Sequence, residues 1–207
     1  MPSKFRLRSL FKPLINQIAK GFAKIGITPN IATIIMLGFS ILCFIILAFL
    51  RNLLLFSTFV FITGIMDGCD GAIARLTNRI TKFGGFFDSF MDRISEFFIF
   101  LGLYIYTQDQ LLWNCIDMKL IVLISFISSV MISYTRARAE VSLKGNFDVG
   151  LMARSERLFY LVVISIISFF YNIFDLFLFI YMLLVIGTFL YRFMWIYHII
   201  KKESNKL

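Results

Sequence analysis

Long runs of Ile, Leu, Phe and Val dominate the chain, and polar residues break them into blocks of about 20 residues, the length that crosses a bilayer as a helix. Six such blocks stand out, roughly 31 to 50, 53 to 76, 84 to 106, 119 to 141, 156 to 172 and 174 to 199. Helices are the expected form, because lipid-exposed backbone has to satisfy its own hydrogen bonds. Ahead of the first block, Phe5, Leu7, Leu10, Phe11, Leu14, Ile15 and Ile18 alternate with Lys4, Arg6, Arg8, Lys12 and Lys20. That spacing predicts an amphipathic helix lying in the membrane interface. The expected fold is an all-α integral membrane protein: six transmembrane helices preceded by an N-terminal amphipathic juxtamembrane helix. A single domain over 1–207 is expected, with 1–28 as the juxtamembrane segment and 29–207 as the bundle.

Composition agrees with a membrane protein and removes several alternatives. The 207 residues are 59% hydrophobic, against about 45–50% in soluble domains. Cys43, Cys69 and Cys115 are scattered, without the spacing of a disulfide framework or thiolate metal site, and read as structural. The first thirty residues are basic and interrupted, unlike a secretory signal, so the mature chain is expected to begin near Met1. The net charge of +9 is unevenly placed. With both termini on one side, that side and its loops hold 17 Lys and Arg, whereas the other holds Arg51 and Lys119. Cytoplasmic flanks carry the basic excess, which predicts a cell-membrane, multi-pass protein with both termini in the cytoplasm. Nucleic acid is excluded as a partner, since no soluble domain exists to present the charge.

Acidic residues inside membrane helices are costly unless they pair, bind ions or face water. Asp67, Asp70, Asp88, Asp92 and Glu96 are five of the twelve acids and fall in the second and third blocks, with only Arg75 and Arg93 nearby. At 100° per residue, Asp67, Asp70, Gly71 and Ala74 share an arc of about 100°. Gly84, Asp88 and Asp92 recur every fourth residue and form a second stripe. If these neighbouring stripes meet, four carboxylates converge at the cytoplasmic end, an arrangement favourable only around hard cations, for which Mg2+ or Mn2+ suits the oxygen donors. Gly71, Ala74 and Gly84 leave room for a ligand against the backbone, or for close helix packing. Glu96, one turn further on, is expected to pair with an arginine or hydroxyl, or to carry a proton. His198, Trp113 and Trp195 read as interfacial residues near span ends.

The run Asp67-Gly-Cys-Asp70-Gly71-Ala-Ile-Ala74-Arg75, eight residues, Gly84-Gly-Phe-Phe-Asp88-Ser-Phe-Met-Asp92 resembles the signature of the CDP-alcohol phosphatidyltransferase family at all eight of its fixed positions. The resemblance implies that Asp67, Asp70 and Asp88 bind two metal ions gripping the pyrophosphate of a CDP-linked lipid, and that Asp92 completes the metal site and acts as general base. It also implies that Gly71, Ala74 and Gly84 border the cytidine and that Arg75 pairs with phosphate. Asn30 and Thr33 stand where relatives close the nucleotide pocket; both equally suit capping of the first helix. The implied assembly is a homodimer.

Arg136, Arg138, Arg154 and Arg157 surround the fourth loop, and planar guanidinium forks suit phosphate; ordinary positive-inside charge accounts for them as well. The runs Ser133-Tyr-Thr-Arg136-Ala-Arg138-Ala-Glu140 and Arg154-Ser155-Glu156-Arg157 look like the phosphatidylinositol phosphate and archaetidylinositol phosphate synthase branch. That branch usually has proline where Ser155 stands. Arg192 in the last block is a further candidate. The implied reaction moves a phosphatidyl-type group, from CDP-diacylglycerol or CDP-archaeol, to inositol 1-phosphate with release of CMP. Glycerol 3-phosphate is the rival acceptor, and a divalent-cation transporter the rival class, which the arginines beside the acids disfavour.

Overall fold

The computed structural model describes residues 7–142, 145 and 147–204. Lys4, Phe5, Arg6, Lys144 and Lys206, which entered the amphipathic and charge arguments, lie outside the described residues. Helices α1 (Leu7–Leu10) and α2 (Lys12–Lys24) come first. Next, α3 (Pro29–Ile45) runs into a π-helical turn, Ile46–Leu50. Then follow α4 (Leu53–Leu76), α5 (Lys82–Tyr106), α6 (Met118–Ser142), α7 (Arg154–Tyr171) and α8 (Phe174–Ser204). A two-residue antiparallel ladder, β1 (Leu111–Leu112) with β2 (Ile116–Asp117), links α5 to α6.

Local chemistry sets the helix starts. Thr28 caps α3, accepting a bond from the Ile31 N–H, and Pro29 occupies the first turn, where a missing N–H costs nothing. Neither Asn30 nor Thr33 is therefore the cap. Asn52 caps α4 through Leu54 and Leu55, both at 3.0 Å, and Thr81 caps α5 through Gly84 at 2.9 Å. The fold is all-helical, and among the described residues four stretches are long and apolar enough to cross a membrane: Pro29–Leu50, Leu53–Leu76, Met118–Ser142 and Phe174–Lys202. Helices α5 and α7 fall short of that composition because they carry Asp88, Asp92, Arg93 and Glu96, and Arg154, Glu156 and Arg157.

Helix α3 packs along both α4 and α5, while α4 and α5 have little backbone contact with each other. Sequence adjacency predicts a close hairpin of these two; the structure instead splays them about α3. Gly102 of α5 makes the α3 contact close, since a Cβ there would lie 3.1 Å from the Phe44 Cα. Gly102→Val is accordingly expected to cost about 1–3 kcal/mol by overpacking, read as a lowered unfolding midpoint in detergent. Helix α2 lies on α4, with Ile15 and Ala19 buried and Ile15 set against Gly68. Cys43 and Cys69 are buried and unbridged, and Cys115 is exposed and unbridged.

Candidate active site

Asp70 on α4 and Asp88 on α5 lie at matching depth from the turn joining the helices, and Asp67 and Asp92 lie about one turn deeper. Because the helices diverge, their carboxyls meet across the gap: Asp70 touches Asp88, and Asp67 touches Asp92. Oxygens of Asp67, Asp88 and Asp92 all fall within 4.8 Å of one another. Asp70 is buried and oriented from α3, where the Thr33 hydroxyl donates to its Oδ2 at 3.0 Å, and its Oδ1 contacts the Gly71 N–H. Thr33 thus shapes the acidic cluster through Asp70.

Touching carboxylates repel unless a proton or cation lies between them. Arg154, at the start of α7, supplies one charge, with Nε 2.9 Å from Asp67 Oδ1, Nη2 3.1 Å from Asp92 Oδ1 and Nη1 2.6 Å from the Asp92 carbonyl. The ion pair with Asp92 Oδ1 is off-axis, and that buried oxygen receives no hydrogen bond. Four aspartates against this one bridging arginine leave an excess of hard oxygen donors, so the residues fit a divalent cation such as Mg2+ or Mn2+.

Glu96 pairs as expected. Arg157 Nε and Nη2 reach its two carboxylate oxygens at 3.0 and 3.3 Å, and Ser129 donates to Oε1 at 2.6 Å. Arg157 is 1% exposed and also donates to the Met152 carbonyl. Arg192 is equally enclosed, donating to the Val149 and Ile132 carbonyls and to Asp148. Buried guanidinium groups need such partners, which a count of positive charge does not reveal. Both arginines line the cavity, but their donors hold the protein together. Arg136 lines it with pairs to Glu140 and Asp148. Arg138 is exposed and outside the lining.

The cavity measures about 420 Å³ and joins Asp67, Asp88 and Asp92 to Ser133, Arg136 and Arg154, with Phe11, which precedes α2, and Ile15 of α2 on its apolar side. Asn30 Oδ1 approaches Gly84, placing that pair beside the α5 start. Gly71 and Ala74 are half-buried on α4, and Arg75 is exposed in its last turn, away from the lining. Ser129 and Asp148 were not among the sequence candidates. Asp148 had a faint signal, as an acid in an otherwise basic loop.

A carboxylate cluster and arginines facing one cavity among apolar helices define a membrane enzyme acting on a phosphate ester. The chain belongs to the CDP-alcohol phosphatidyltransferase family, whose model matches residues 26–200. An archaetidylinositol phosphate synthase of Pyrococcus horikoshii is 34% identical over 164 residues, 79% of this chain and 82% of that protein. A phosphatidylinositol phosphate synthase of Mycobacterium tuberculosis is 34% identical over 160 residues, 74% of this chain and 70% of that one. Two crystal structures of the M. tuberculosis enzyme superpose with a TM-score of 0.77 at 26% identity. One has CDP-DAG bound, with 89% of this chain and 94% of that chain covered; the other is in complex with manganese and citrate, with 88% of each covered.

Proposed function

We propose that the chain transfers a phosphatidyl-type group, diacyl or archaeol, from a CDP-linked lipid to inositol 1-phosphate and releases CMP. The observation that carries this reading is one cavity in which Asp67, Asp88 and Asp92 face Arg136 and Arg154. Family membership supplies the CDP-alcohol chemistry, and the names of the relatives favour the inositol phosphate acceptor.

Asp67, Asp70, Asp88 and Asp92 would hold Mg2+ or Mn2+, two ions by family resemblance, which would supply positive charge to offset that of the pyrophosphate. Asp92 takes the proton from the acceptor hydroxyl as that oxygen forms its bond to the lipid-bearing phosphorus. The pyrophosphate P–O bond breaks and CMP carries the bonding pair away. Asn30, Thr33, Gly71, Ala74 and Gly84 form the proposed nucleotide side, with Arg75 for phosphate. Arg136 and Arg154 are the acceptor-phosphate candidates with the most cavity-facing chemistry; Arg157 and Arg192 frame them, and Arg138 is set aside. Six spans, the juxtamembrane placement of α2, a single domain, cytoplasmic termini and active site, and a homodimer complete the proposal. Arg154 bridging two aspartates weighs against a cation pathway.

Purified protein with CDP-lipid and Mg2+ is expected to release CMP on addition of inositol 1-phosphate. Release with glycerol 3-phosphate and none with inositol phosphate would overturn the acceptor assignment. In the same assay Arg136→Ala is expected to raise the acceptor KM by about 10- to 100-fold, the loss of one charged hydrogen bond, whereas Arg138→Ala leaves it near wild type.

A further inference from the structure

We propose that Arg154 and the divalent cation compete for Asp67 and Asp92, so that cation binding releases the Arg154 guanidinium to the phosphate of the acceptor. The proposal rests on the phosphotransferase reading above and adds an order of events to it.

Three of the arginine's polar contacts fall on the two aspartates: Asp67 Oδ1 at 2.9 Å, Asp92 Oδ1 at 3.1 Å and the Asp92 carbonyl at 2.6 Å. A dication between these carboxylates meets a guanidinium joined to the same oxygens, and like charges at that separation repel. A divalent ion brings twice the charge and binds oxygen at shorter range than an N–H donor does, so it displaces the fork. The displaced side chain has somewhere to go. It lies in the wall of the cavity beside Ser133 and Arg136, is 15% exposed, and starts a helix whose N-terminal end favours anions. Its neighbours lack that freedom. Arg157 is tied to Glu96 and the Met152 carbonyl, and Arg192 to Asp148 and two carbonyls. Glu96 Oε2, 3.8 Å from Arg154 Nη1, is too loosely held to detain it.

Reciprocity follows from thermodynamics: if the cation frees an anion-binding group, a bound anion raises cation affinity by the same factor. The test uses the full chain in detergent without lipid, with bound Mn2+ read by electron paramagnetic resonance and sulfate standing in for the acceptor phosphate. Sulfate is expected to tighten Mn2+ binding to the wild type by about fivefold or more. Arg154→Gln is expected to bind Mn2+ about tenfold more tightly than wild type and to lose the sulfate effect. Arg154→Lys, which keeps the charge and loses the fork, should fall between them. Unchanged or weakened Mn2+ affinity in both variants would overturn the proposal. So would a wild type indifferent to sulfate, a result that decides the matter even if Arg154→Gln does not fold. A wild type that binds no Mn2+ would instead sink the metal-dependent reading beneath it.

Discussion

Asp92→Asn is expected to lower turnover by about 10³-fold or more while leaving CDP-lipid binding measurable. The substitution keeps the side-chain shape but removes both a basic oxygen and a negative charge at the point where α5 meets Asp67 and Arg154. Loss of a positioned base accounts for about 10² to 10⁴ in rate. Three aspartates remain to hold cation and pyrophosphate, so the nucleotide should still bind. Asp67→Asn and Asp88→Asn are expected to weaken Mn2+ affinity as well, since both belong to the oxygen cluster. CMP release and calorimetric CDP-lipid binding, measured on the same preparations, separate the two effects. Near-wild-type rates in all three variants would refute the assignment of the site.

Glu96→Gln should produce the largest loss of stability, about 3–5 kcal/mol, the cost of leaving a buried charge without its counter-ion. Arg157 is 1% exposed and Glu96 2% exposed, and the two share a bidentate contact. Removing the carboxylate charge leaves the guanidinium with carbonyl and hydroxyl partners only. Replacing the pair whole, Glu96→Leu with Arg157→Met, is expected to recover much of the loss, because a buried ion pair exchanged for apolar groups of similar volume is often neutral. Detergent unfolding midpoints of the single and double variants check this. A single variant as stable as wild type would show that Glu96 is not the counter-ion on which Arg157 depends.

The acidic site was readable from spacing because helical periodicity is local: Asp67, Asp70, Asp88 and Asp92 fall on stripes whatever else the chain does. Their mutual contact was also foreseeable, since the turn at 77–81 between α4 and α5 is short. The separation of those helices was not, because it depends on how α3 seats between them, a matter of packing at positions such as Gly102 and Phe44. The individual settings of the arginines were not legible for a related reason. Positive residues around a loop look alike in sequence, and only the fold shows that Arg157 and Arg192, which line the cavity, are enclosed and held by carbonyls and acids, while Arg136 and Arg154 on the same wall are more exposed. Apolar pattern suggested six spanning blocks, whereas by composition four of the described helices are apolar enough, and α5 and α7 are less so for the charged residues they carry.

Helix α3 contributes no aspartate, yet it is the spacer against which the two acidic helices are gauged. The loop between α4 and α5 then acts as a short tether, whose Thr81 starts α5 while the spacing of the two helices is set elsewhere. Side-chain bulk along α3 acts as the caliper, so that helix, far from the chemistry in sequence, governs how closely the two acidic stripes approach.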